Sequence, residues 1–233
     1  MMIIKNGHKV SSAFLVAAGL MISNVIFSQE EKSSPLTAGA DIYSSYVWRG
    51  TKYGTGPAIQ PLLEFSTGPF TAGAWGSFDF WDYQETDLYF SFSLPPGFSA
   101  GLTDYYYPEL NYFDYSDSTG SHAFEINLNF TKERFSLSAN YILNEAGNAG
   151  SKGGDKYFEA KYSFESFSLF IGAGDGWHTT DSSDGRDKFT VCNIGLGTSR
   201  TIRVTDSFSI PVTGQIIFNP DRERIYVVVG FTL

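Results

Sequence analysis

The sequence predicts an all-β chain: a transmembrane, antiparallel, up-and-down β-barrel of about twelve strands, within a range of ten to fourteen. Three observations predict it. From about Thr37 to the last residue, stretches of roughly ten residues alternate apolar and polar side chains and then turn, as expected for strands with one face to lipid and one to a lumen. Short and long connections take turns along the chain, the arrangement of outer-membrane barrels with short periplasmic turns and long external loops. Aromatic residues reach 17% while charged residues stop at 18%, below the roughly 25% of soluble domains, so little of the surface suits water.

The N-terminal 28 residues read as a secretory signal peptide. Lys5 and Lys9 precede the apolar run Ala13-Phe14-Leu15-Val16-Ala17-Ala18-Gly19-Leu20-Met21-Ile22, and the small Ser28 precedes Gln29 at the expected cleavage point. Ser23 and Asn24 interrupt the run, leaving it too short for a spanning helix. Residues 29–36 are read as a short periplasmic segment and 37–233 as the outer-membrane barrel. Cys192 is the only cysteine, so neither a disulfide framework nor a cysteine for a lipid anchor is available. A formal charge of −9 without a basic patch argues against nucleic acid as a partner. The expected partners are outer-membrane lipid and lipopolysaccharide, the barrel-assembly machinery, and small hydrophilic solutes or cations.

The first strand, 37–49, sets Ala38, Ala40, Ile42, Tyr46 and Trp48 against Asp41, Tyr43 and Arg49. Strands 58–66 and 70–79 flank the turn Thr67-Gly68-Pro69; 85–94 and 98–107 flank Pro95-Pro96-Gly97. Further pairs flank Lys132-Glu133-Arg134 and Glu165-Ser166, and the last three strands are 188–204, 208–218 and 224–233. A soluble sandwich alternates in the same way, but two features favour the barrel. Phe65, Phe70, Phe98, Phe130, Phe135, Phe164, Phe167 and Phe208 cluster beside short turns, and Tyr46, Trp48, Phe78, Tyr106, Tyr141 and Phe158 beside long loops, as two interfacial girdles. The opposite face is mostly Ser, Gly, Asn and Thr with few lysines, unlike a defended solvent face.

Several motifs in the first half carry a family resemblance. These are Ser45-Tyr46-Val47-Trp48-Arg49-Gly50, Ala58-Ile59-Gln60-Pro61, Gly73-Ala74-Trp75-Gly76-Ser77, Glu85-Thr86-Asp87-Leu88-Tyr89 and Asp104-Tyr105-Tyr106-Tyr107-Pro108. On them, roughly residues 38–108 resemble the TorF family of outer-membrane porins; the rest agrees in strand rhythm. The resemblance implies a passive pore or pore-like barrel and brings no catalytic residues. One departure is the C-terminus, where Thr232 and Leu233 follow Phe231 instead of a terminal aromatic.

Parity assigns the pore lining to Asp41, Tyr43, Arg49, Glu64, Trp75, Asp79, Glu85, Asp87, Tyr89, Tyr105, Glu125, Glu159 and Lys161. The acid excess would bias the lumen towards cations, because a narrow low-dielectric channel focuses its field. The bland alternative is that these groups pair simply to fill the interior. Arg49 could constrict the mouth or pair with Asp79 or Asp87, and the inward rings could line a slide or merely occupy space. Small inward Ser and Gly favour openness in a barrel wider than eight strands; a loop folded inward would overturn that. The Asp181-Ser182-Ser183-Asp184-Gly185 run lacks calcium-loop spacing.

The functional expectation is a porin passing small hydrophilic solutes or ions, cation-biased by its charges, with no cofactor, no metal and no enzymatic activity. The alternatives are a closed structural or adhesive barrel acting through its extracellular loops, and an acyl-chain enzyme. Against the latter, His122 and His178 stand beside no recognisable nucleophile motif. Cys192 is read as a small lipid-facing hydrophobe.

Overall fold

The computed structural model describes residues 34–180 and 188–233. The residues read as a signal peptide and the 181–185 run therefore lie outside the described residues. Strands follow in the order β1 (Leu36–Tyr43), β2 (Tyr46–Trp48), β3 (Thr51–Tyr53), β4 (Ala58–Thr67), β5 (Phe70–Asp79), β6 (Gln84–Leu94), β7 (Phe98–Tyr106) and β8 (His122–Lys132). They continue with β9 (Phe135–Ile142), β10 (Glu145–Ala146), β11 (Ser151–Lys152), β12 (Lys156–Ser163), β13 (Ser168–Gly174), β14 (Thr190–Arg203), β15 (Ser209–Asn219) and β16 (Arg224–Thr232).

Twelve of these close an antiparallel barrel, in the order β1-β16-β15-β14-β13-β12-β9-β8-β7-β6-β5-β4. Closure is by β1, which pairs with β4 along its length and with β16 at Asp41↔Thr232, Ile42↔Phe231 and Tyr43↔Gly230. A closed barrel leaves no strand edge unpaired, which is what lets β-structure cross lipid. The exterior is apolar: Leu63, Leu88, Phe90, Leu128, Ile171 and Val227 are all exposed. At the short-turn end the rings pair in space, Phe70 with Phe92 at 5.2 Å, Phe98 with Phe130 at 4.6 Å and Phe164 with Phe167 at 4.5 Å between centroids. Tyr141 and Phe158 stand exposed at the loop end. Aromatic rings favour these two water–lipid boundaries.

The first strand departs from its predicted course. β1 stops at Tyr43, and the chain turns inward as the hairpin β2–β3, with Tyr46↔Tyr53 and Trp48↔Thr51 opposed. The two residues between are Arg49 and Gly50, with φ of 49° and 83°. Positive φ at both central positions is the requirement of a type I′ hairpin turn. Tyr46 and Trp48 thus leave the loop-side girdle and are buried inside the protein. Period-two alternation runs through both segments, so the pattern alone could not separate wall from hairpin.

Cys192 departs too. Gly172 pairs with Asn193 and Ala173 with Val191, so Cys192 is the extra residue of a β-bulge and is fully buried, facing protein rather than lipid. A bulge slips parity by one residue, which a strict alternation misassigns.

A lumen crossed by an inward hairpin

The inward face changes character along the barrel. Near the long loops Trp75, Ser77, Glu85, Asp87, Tyr105 and Glu125 are buried. Towards the short turns, on the same strands, Thr71, Ser91, Asn129 and Thr131 are only half-buried. What fills the loop-side half is the β2–β3 hairpin. Trp48, 9% exposed, packs its ring 5.5 Å from Tyr105 of β7, and Tyr46 packs 5.5 Å from Trp75 of β5. On the other side the Gly50 carbonyl accepts a 2.9 Å hydrogen bond from Asn219 Nδ2 of β15. A Cβ at Gly50 would stand 2.0 Å from the Cys192 carbonyl oxygen, so only glycine permits this approach to the bulge.

Arg49 at the hairpin tip spans the remaining distance. Its Nη1 and Nη2 donate to Glu125 Oε2 and Oε1 of β8 at 2.6 and 2.9 Å, a bidentate pair in which neither side chain is more than 4% exposed. The guanidinium also lies 4.4 Å from the Trp48 ring and 4.5 Å from that of Tyr157, within cation–π range. Glu125 accepts further from Tyr105 Oη at 3.0 Å and Asn127 Nδ2 at 2.6 Å, so the buried carboxylate is saturated. The short helical turn Gly176–His178 brings His178 Nε2 to 3.4 Å from Arg49 Nη1. Burial first, and then the Arg49 charge, hold the His178 pKa well below the usual range, so the ring is neutral and can offer a lone pair to the guanidinium.

The other residues assigned to the lining fall as follows. Glu64 accepts from Tyr89 Oη at 2.7 Å, and Glu159 from Tyr157 Oη at 2.6 Å and Asn193 Nδ2 at 3.0 Å. Asp41 accepts from Thr232 Oγ1 at 2.5 Å. Glu85 accepts from Tyr83 Oη at 2.6 Å, while Asp87 Oδ1, between Trp75 and Tyr105 in register, has no partner among the described residues. Lys161 is half-buried two positions along β12 from Glu159. Asp79 stands at the rim, accepting from the backbone N–H groups of Thr55, Trp81 and Tyr83 at 2.8, 2.9 and 3.0 Å, and so ties two loops together.

Arg49 pairs with neither Asp79 nor Asp87, the partners considered from sequence, but with Glu125. The inward rings have a packing task that spacing alone did not suggest: Tyr43, Tyr89, Tyr157 and Phe170 lie over Gly230, Gly73, Gly172 and Gly195 of adjacent strands. The loop-side half contains the inward-folded loop that removes the expected openness, and in the short-turn half Thr71, Ser91, Asn129 and Thr131 are half-buried while Glu64, Ser99 and Ser168 are buried. Asn127, Asn140 and Asn193 complete the polar network without a motif that could have marked them, because single polar residues on alternating strands carry none, and His178, weighed from sequence only as a catalytic base, joins it beside Arg49.

A family model described as a bacterial protein of unknown function (Gcw_chp) matches residues 29–209. Among solved structures the chain is similar to OccK8 (OprE) of Pseudomonas aeruginosa, at 11% identity and a TM-score of 0.39, covering 83% of this chain and 61% of that one. The chain therefore spans less than two thirds of that structure's length. No curated protein matches it.

Proposed function

We propose that this chain, which belongs to the Gcw_chp family of bacterial proteins of unknown function, is an outer-membrane channel whose loop-side lumen is narrowed by the β2–β3 hairpin. The observation that carries this reading is the change along the inward face, from a half filled by the hairpin to a half lined by small polar side chains, of which Thr71, Ser91, Asn129 and Thr131 are half-buried. A wall of small polar residues is what passing hydrated solutes requires, and a hairpin pinned at its tip sets their size. The resemblance of residues 38–108 to TorF porins supports the same reading. Its motifs meet in space: Tyr46 packs on Trp75 and Trp48 on Tyr105, while Arg49 lies against the Trp48 ring. Export by the cleaved leader, insertion by the assembly machinery, contact with lipopolysaccharide, and passive transport without catalysis belong to this proposal.

The expected solutes are small and cationic. With Glu125 neutralised by Arg49, and Arg203 paired with Asp206 at a turn, the inward carboxylates Asp41, Glu64, Glu85, Asp87 and Glu159 outnumber Lys161, and a negative lumen concentrates cations. Reversal potentials in a planar bilayer under a salt gradient test this: the wild type should be cation-selective, and Glu85→Gln/Asp87→Asn less so. Anion selectivity in the wild type would refute the charge assignment. A second reading, a closed barrel acting through its loops, is favoured by the burial of Trp48, Arg49 and Glu125; absence of conductance from correctly folded protein would establish it.

A further inference from the structure

On β7 and β8, Asp104 and His122 share the outward parity of Leu102, Phe124 and Ile126, opposite the inward Thr103, Tyr105 and Glu125. An ionisable pair on that wall should meet lipid. Yet His122 is 1% exposed. Its cover is the loop between the two strands, residues 107–121, which folds outward over the wall. The loop is fastened at three points. His122 Nε2–H donates to the Tyr112 carbonyl at 2.6 Å, Tyr106 Oη donates to the Leu110 carbonyl at 2.8 Å, and the Tyr115 ring stacks on His122 at 4.5 Å, with Tyr106 on its other side at 5.1 Å. His122 Nδ1 faces both Asp104 oxygens at 2.9 and 3.0 Å. The row of rings then continues beyond the wall, from Tyr112, against Tyr106 and His122, to Phe113 at 5.2 Å, which is 82% exposed.

We infer that this loop is a membrane-interface paddle: Tyr112, Phe113 and Tyr115 rest in the headgroup–acyl boundary of the outer leaflet, clamped there by the Asp104–His122 pair that they shield from lipid. The lipid-facing band supplies the continuity, because the paddle lies on the same wall, directly above Phe124. Rings with a polar edge or backbone beside them favour that boundary, and Tyr112, Phe113 and Tyr115 stand exposed together as one patch continuous with the apolar wall, where a lone exposed Phe would signify nothing. Of the loop's three carboxylates, Glu109 and Asp117 are exposed, and Asp114, which stands between the paddle rings, is turned back onto Ser116 and Thr119, whose hydroxyls donate to it at 2.6 and 2.8 Å.

Nitroxide labelling of Phe113→Cys tests the paddle, since native Cys192 is buried and unavailable to reagent in the folded barrel. In dioleoyl-phosphatidylcholine vesicles, the ratio of collision with oxygen to collision with a water-soluble nickel chelate should lie between those of labelled Leu128→Cys, mid-wall, and Lys152→Cys, exposed on the short β10–β11 hairpin. A ratio equal to that at Lys152 would overturn the inference. His122→Ala, in barrels that retain their folded gel mobility, should move the Phe113 label at least twofold towards the aqueous ratio. An unmoved label would overturn the clamp.

Discussion

At the scale of single residues, the decisive interaction is the buried pair of Arg49 and Glu125. Taking either charge from water is costly, and their mutual attraction compensates only with good geometry and saturated hydrogen bonding. Both conditions are met, by the bidentate contact and by Tyr105 and Asn127. Removing one partner leaves the other charged and buried, for which about 3–5 kcal/mol is typical. Arg49→Ala and Glu125→Ala should each lower the urea-unfolding free energy in lipid vesicles on that scale or release the hairpin from the lumen, and the double substitution should cost less than the sum. Strict additivity would contradict direct coupling. Parity placed both residues inside, but it could not pair them, because the partners are separated by 76 positions and lie on a loop and a strand.

At the scale of elements, the wall strands were legible and the hairpin was not. Ten residues of alternation bounded by Thr67-Gly68-Pro69 or Pro95-Pro96-Gly97 define a spanning strand from local information alone. Tyr46-Val47-Trp48 alternates equally well, and only the Arg49-Gly50 turn, with both residues at positive φ, marks its return. The bulge at Cys192 escaped for a related reason, since one inserted residue leaves no compositional trace. The wall assignment has its own test. Leu128→Arg or Val227→Arg, both on the exposed apolar face, should impair assembly by about 2–4 kcal/mol if near the bilayer midplane. Ser91→Arg, on the inward face, should be better tolerated. Equal yields of folded barrel from all three would contradict the alternation.

At the scale of the whole molecule, twelve strands enclose more space than their inward side chains fill, and the barrel uses that space unequally. One half is occupied by a hairpin held at its tip by Glu125 and seated on the bulge through Gly50. The other is lined by small polar side chains, Thr71, Ser91, Asn129 and Thr131 among them. The sequence conveyed the barrel and its sidedness because each strand reports both faces; the constriction depends on contacts between distant segments, which no local pattern encodes. The hairpin's seating can be disturbed without touching the lipid-facing wall. Gly50→Ala adds a Cβ 2.0 Å from the Cys192 carbonyl at a φ that disfavours any side chain. The most direct measurement is single-channel conductance of the refolded wild type beside Gly50→Ala, each confirmed as a folded barrel. A lumen controlled by the hairpin gives small stable steps in the wild type and larger or more frequent openings in the variant; identical conductance in the two would refute that control.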